Sequence, residues 1–204
     1  AVLALYIATP DTWQLHDMAA IKQDLLRRRV KQLQQELATL NIPLLAVEGS
    51  SYQQIPAVFN QLGQHFLLKV FVQSEYELRE QQRDNAVEQA VLALNGQVIR
   101  FDTQCIMPPG SVRTQQGDIY KVFTPFKRSW LAQLKQHGVS CYARPKPVAQ
   151  VELKLPDFPP LKACDNSSAE WPVAEHDILQ LMRAFCREKV HDYQTARDFP
   201  AIEG

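Results

Sequence analysis

Short apolar runs alternate with longer amphipathic ones over the first hundred residues. Val2 to Ile7 is apolar and closed by Thr9 and Pro10, which predicts a buried strand. From Ala19 to Leu40 the apolar positions Leu26, Val30, Leu33, Leu37 and Leu40 recur at spacings of 4, 3, 4 and 3, one stripe along a helix. Pro43 to Val47 predicts a second strand, ended by Gly49. Tyr52 to Phe66 predicts a second helix, with Pro56 tolerable only in its first turn. Leu67 to Val72 reads as a third buried strand. Arg79 to Leu94 reads as a helix with Ala86, Val87, Ala90, Val91 and Leu94 inward, stopped by Asn95-Gly96. Val98 to Phe101 is a fourth strand. Continuous apolar strands alternating with helices imply an α/β fold with a parallel sheet covered on both faces.

After Phe101 the pattern changes. Met107-Pro108-Pro109-Gly110 reads as a tight turn, and the mixed stretch YKVFTPFKRSW, residues 120 to 130, precedes the helical LAQLKQ. Ala143 to Pro172 holds six of the thirteen prolines and no periodicity, which predicts an extended linker. A last amphipathic helix is expected from about Val173 to Lys189, with Ile178, Leu181, Met182 and Phe185 on one face. The end, YQTARDFPAIEG, is polar and rich in turn formers.

Composition acts mainly by exclusion. At 204 residues, 46% hydrophobic and 22% charged, the chain has room for one α/β domain and a small appendage. A net charge of zero argues against a large DNA-gripping surface, so nucleic-acid contact is expected to be limited or made by a part not present here. Cys105, Cys141, Cys164 and Cys186 are far apart, without metal-ligand spacing, which argues against a zinc site or disulfide framework and suits a reducing cytoplasm. No apolar run approaches the roughly 20 residues that cross a bilayer, and no signal peptide is visible. AVLALYIATP reads as a strand already under way, as if cut from something longer.

In an open parallel sheet, ligands bind outside the carboxyl ends of the strands. Two segments hold that position: Ala8 to Met18, with Trp13, His16 and Asp17, and Gln73 to Arg83. The second contains YELREQQRD, which crowds Glu77, Arg79, Glu80, Arg83 and Asp84 into nine residues. Glu77 and Glu80 are candidates for paired carboxylates in acid–base work, or for complementing the positive end of a helix dipole; spacing leaves both readings open. Phosphate-cradling glycine loops of the GxGxxG and GxxxxGK[ST] kinds are absent, and no Ser–His–Asp or Cys–His arrangement can be argued. Arg27, Arg28 and Arg29 fan around their helix about 100° apart and read as a solvated face. In YKVFTPFKRSW, Tyr120, Phe123, Phe126 and Trp130 read as one packed face, and Lys121, Lys127 and Arg128 as a solvated rim.

MPPGSV, YKVFTPFKRSW and TARDFPAIEG, in that order, closely resemble segments of the DNA photolyase and cryptochrome family, and most specifically bacterial class I cyclobutane pyrimidine dimer photolyases. The likeness runs from LALYIATP to the final glycine. It implies a Rossmann-like three-layer antenna domain over residues 1–142, a proline-rich interdomain linker over 143–171, and the opening of a helical FAD-binding domain over 172–204. The family's first strand, which carries a WFRxDLRxxDN-like motif at the centre of the sheet, is absent. The expectation is a slot filled by another segment or chain, through strand exchange or a homo-oligomer, or else a natural protein that has the strand where this chain lacks it. The helical domain that binds FAD and repairs damaged DNA would be a missing partner, and the fragment alone is expected to be inactive. Glu80 falls on a family glutamate that hydrogen-bonds the antenna pterin, methenyltetrahydrofolate, and His16 on a histidine near that pigment. Arg79 stands where the family has asparagine; a guanidinium offers donors only. Tyr193 matches a tyrosine that touches FAD. The function implied is a light-harvesting antenna domain of a deoxyribodipyrimidine photolyase. The alternatives are a cryptochrome-type signalling module and a generic nucleotide-binding α/β domain.

Overall fold

The computed structural model describes residues 1–62, 68–152, 161–162, 166–199 and 201. Chain order gives β1 (Ala4–Ala8), α1 (Pro10–Leu15), α2 (Ala20–Ala38), β2 (Leu44–Glu48), α3 (Ser51–Leu62), β3 (Lys69–Gln73), α4 (Leu78–Ala93), β4 (Gln97–Phe101), α5 (Phe123–His137), α6 (Glu175–Glu188) and α7 (Tyr193–Ala196). The α/β class and the parallel pairing expected from the alternation are observed. The strands pair two by two, β1 with β2 and β3 with β4, both parallel. The chain divides into two compact units, Ala1–Gly49 with Lys146–Gly204, and Ser50–Pro145.

In the first unit, β1 and β2 run in register from Ala4 opposite Leu44 to Ala8 opposite Glu48. Ala8, Leu44, Leu45 and Val47 are buried, together with Trp13 of α1 and Val30 of α2. The α2 stripe faces inward as the spacing predicts. Helix α1 falls in a segment the periodicity had marked only as the loop after the first strand. Pro10 starts it, because a pre-set φ favours a helix and its missing N–H would be unpaired in a first turn anyway. The linker joins this unit through backbone and side-chain bonds. Val148 N–H donates to the Leu40 carbonyl at 3.0 Å, and Asn41 Nδ2, on a residue at φ 59°, donates to the Val148 carbonyl at 2.9 Å. The parts of the predicted linker at 153–160 and 163–165, Cys164 included, lie outside the described residues, as do Pro200 and residues 202–204 of the terminal motif.

The arginine run corrects the sequence reading. Arg27, Arg28 and Arg29 are half-buried, and each has its own task. The Arg27 guanidinium lies 5.5 Å from the Trp13 ring centroid, a cation–π arrangement. Arg28 Nη1 donates to the Ser168 carbonyl, to Ser168 Oγ at 2.9 Å and to the Trp171 carbonyl at 3.1 Å. Arg29 pairs with Glu36 at 3.0 Å and donates to the Val173 carbonyl at 3.0 Å. Ser168, fully buried, also gives its N–H and its hydroxyl to Asp24 Oδ2, at 2.7 and 2.6 Å. The fan that rules out one basic patch lets three successive residues reach three different partners.

In the second unit, β3 and β4 are in register from Lys69 opposite Gln97 to Gln73 opposite Phe101. Phe59 of α3 with Val87 and Val91 of α4 form the core, against Ile55, Leu68, Val70 and Val98. Asn95 takes φ 58° to end α4, and Gly96 N–H returns to the Val91 carbonyl at 2.9 Å. A Cβ on Gly96 would lie 2.4 Å from the Phe59 ring, so close packing requires the glycine.

Four details differ from expectation. Pro56 is inside α3, past its first turn, so the Tyr52 carbonyl loses its helical donor; Ile55, Val58 and Phe59 hold the helix through core contacts. The predicted end of that helix at 63–66 and the strand start at Leu67 lie outside the described residues. On β3 only alternate residues are covered: Phe71 stands 62% exposed and stacks on Phe101, with centroids 6.1 Å apart. Ala86 and Leu94 are exposed rather than inward. Finally, α5 begins at Phe123, earlier than the LAQLKQ segment; Pro125 is its third residue, where no helical N–H is needed.

Candidate functional site

The carboxyl ends of β3 and β4 form the site in the second unit. Parallel register sets Gln73 beside Phe101, and Ser74 N–H extends the ladder by donating to the Phe101 carbonyl at 2.7 Å. The chain then turns through Glu75 and Tyr76 into α4, while the other strand continues into Asp102. Here the Tyr76 hydroxyl donates to Asp102 Oδ1. That hydrogen bond, aided by desolvation and the negative charge of Asp102, pushes the Tyr76 pKa up to about 12. Cys105, an exposed free thiol, contributes to the same neighbourhood. Gln81 Nε2 donates to the Tyr76 carbonyl at 2.6 Å and pins the turn to the first part of α4.

The charges of YELREQQRD separate into two groups. Arg83 is committed: its Nη2 lies 3.0 Å from Glu75 and 2.7 Å from Asp84. Glu77 takes the N-cap position of α4, and its carboxylate accepts the Tyr76 N–H at 3.2 Å. Arg79 is exposed and Glu80 half-buried in the first turn. Among the described residues, neither of these two side chains is engaged in a hydrogen bond or ion pair. Glu80 is thus a partly desolvated acceptor at the positive end of a helix, and Arg79 beside it offers donors.

The other two residues singled out in the sequence belong to the first unit. His16 is exposed at the C-cap of α1, its N–H bonded to the Thr12 carbonyl at 3.1 Å. Tyr193 opens α7, 53% exposed, with its ring edge-on to Phe185 at 6.0 Å. A groove of about 810 Å³, also in the first unit, runs between Glu170 and α6, lined by Asp177, Gln180, Arg183 and Arg187; it coincides with neither residue. Sequence reasoning missed the Tyr76–Asp102 pair. The available signal was register: parallel neighbours bring the residues just beyond Gln73 and Phe101 together.

Comparison with known proteins follows the same outline. A family model described as DNA photolyase matches residues 1–150. The deoxyribodipyrimidine photo-lyase of Vibrio cholerae is 43% identical over 210 residues, and that of Escherichia coli 35% identical over 212; each alignment covers 100% of this chain. The chain spans 44% and 43% of those two proteins. Among solved structures, a Synechocystis cryptochrome superposes with a TM-score of 0.67 over 97% of this chain and 43% of its own. A bacterial class III photolyase from Agrobacterium tumefaciens gives 0.63 over 98% and 42%. Both are 19% identical and bear on the fold alone.

Proposed function

The chain belongs to the DNA photolyase family, and from that premise we propose that it is the light-harvesting antenna domain of a deoxyribodipyrimidine photolyase, with the interdomain linker and the start of the helical FAD-binding domain. The observation that carries this reading is the uncommitted, half-buried Glu80 beside the carboxyl ends of β3 and β4. Its carboxylate suits the amino and ring N–H donors of a pterin such as methenyltetrahydrofolate. Arg79 donors suit a carbonyl or carboxylate on the same pigment. The bound pigment supplies the absorption. The residues here fix its position and orientation, which is what excitation transfer to a flavin requires.

Two features support the domain reading. Helix α6 turns Ile178, Leu181, Met182 and Phe185 outward, and Tyr193 follows on α7. An apolar stripe of this kind marks an interaction surface, and its proposed occupant is the rest of the helical FAD domain, where Tyr193 would meet FAD. Repair of damaged DNA would then be carried by the longer cytoplasmic protein and not by this chain alone.

The test is pigment content. Full-length protein is purified with Glu80 intact and as Glu80→Gln, and chromophores are extracted and quantified by absorbance. The expected result is a near-ultraviolet pigment band in the parent protein, reduced about tenfold or more in the variant, with flavin content unchanged. Equal pigment in both would leave Glu80 as the acidic residue of an ordinary helix start.

A further inference from the structure

Net neutrality hides a segregation of charge. Residues 119–151 contain six Lys and Arg and no Asp or Glu; the remainder carries 16 cations against 22 acids, a net of −6. Helix α5 lies within this stretch. Its half-buried residues are Phe126, Ser129, Trp130, Gln133 and Leu134, one face at helical spacing. Lys127, Arg128 and Lys135 are exposed, and helical geometry groups them around Leu131, with Arg128 and Lys135 opposite the half-buried face and Lys127 at its edge. Arg128 and Lys135 are seven residues apart, about 10 Å along the axis. Among the described residues none of the three is in an ion pair or hydrogen bond, although Arg29, Arg83 and Arg100 all have carboxylate partners. A solvated helix face ordinarily mixes both signs; this one has no acid anywhere along it.

We propose that the exposed face of α5, with Lys127, Arg128 and Lys135, binds the phosphodiester backbone of duplex DNA independently of base sequence. Unpaired cations along a rigid helix contact backbone phosphates and release condensed counterions. An anionic membrane suits this face less well. A helix lying in lipid needs its apolar side free, and the apolar side of α5, at Phe126, Trp130 and Leu134, is the one already half-buried. The site needs no pigment and makes no use of Glu80.

The experiment is fluorescence anisotropy of this chain with a labelled, undamaged duplex across a salt series. The variants are Lys127→Gln/Arg128→Gln/Lys135→Gln and a control with equal charge loss at exposed sites elsewhere, Lys22→Gln/Lys31→Gln/Lys69→Gln. All six side chains are exposed, and far-ultraviolet circular dichroism verifies that both variants stay folded. The expected result is salt-dependent binding by the parent chain. The α5 variant weakens it about tenfold or more and flattens the slope of log K against log salt by about 3, at roughly 0.9 per phosphate contact, and the control does neither. Equal effects of the two variants would overturn the proposal, as would absence of duplex binding or binding only to phosphatidylserine vesicles.

Discussion

Single residues set the tightest constraints. Gly96 is needed for space, since a Cβ there would meet the Phe59 ring at 2.4 Å and Val91 at 2.8 Å. Gly96→Ala is therefore expected to destabilise the second unit by about 1–3 kcal/mol, the range for overpacking a filled core, read as a lower urea midpoint. Tyr76 gives a spectroscopic handle on the site. Its folded pKa is raised to about 12 by the bond to Asp102, above the ordinary value of 10.0. The stabilisation is full below pH 10 and is lost as pH rises towards 12. Absorbance titration of tyrosinate should show a late phase that Asp102→Asn brings back towards 10; an unchanged phase would place the cause elsewhere. The place of Glu80, after β3 in the first turn of α4, was legible in the sequence. The commitment of Arg83 was not, because its partner Glu75 is eight residues away and joins it only across a turn.

At the scale of elements, the fastening of residues 168–173 to α2 is the clearest device. Ser168, itself buried, satisfies the half-buried Asp24 with two hydrogen bonds and receives one from the half-buried Arg28. Ser168→Ala deletes the hydroxyl and leaves polar partners short of a bond, which is expected to cost about 1–3 kcal/mol. Faster amide hydrogen exchange at residues 168–173 would be its local signature. The pH dependence follows from Asp24, whose carboxyl is held below its ordinary pKa first by the Ser168 hydroxyl and then by the Ser168 N–H. A depressed folded pKa contributes stability above the unfolded value of 3.8, lost as pH falls through the folded value. The clamp is therefore expected to loosen in strong acid and to be insensitive near neutrality. Nothing local in the sequence announces it: Asp24 and Ser168 are 144 residues apart.

For the whole molecule, exposed apolar surface is the leading property. Leu181 and Met182 stand 59% and 53% exposed on α6, and Phe71 and Phe101 are exposed on the β3–β4 pair. Two-stranded sheets are marginal by themselves, and their edges invite pairing; neither β1 nor β3 has a second partner among the described residues. The chain by itself is expected to self-associate and to bind the dye ANS. Leu181→Gln/Met182→Gln should reduce both in sedimentation velocity and fluorescence; no change in either would move the sticky surface to the strand edges.

What the sequence determined by itself was whatever rests on near neighbours along the chain. Hydrophobic period placed the four strands and helices α2, α3, α4 and α6 within a few residues, because the inward face of an element is written at spacings of two or of three and four, whereas α5 starts well before the LAQLKQ segment. The motifs of the last hundred residues carried the family likeness. Only the tertiary structure decided matters between residues distant in the chain. It turned the arginine run from a solvated face into three separate fastenings, paired Tyr76 with Asp102, and left Phe71 uncovered where an apolar run had suggested burial on both faces. A run of apolar residues records that burial is favourable; which surfaces are in fact covered depends on what the rest of the chain brings against them.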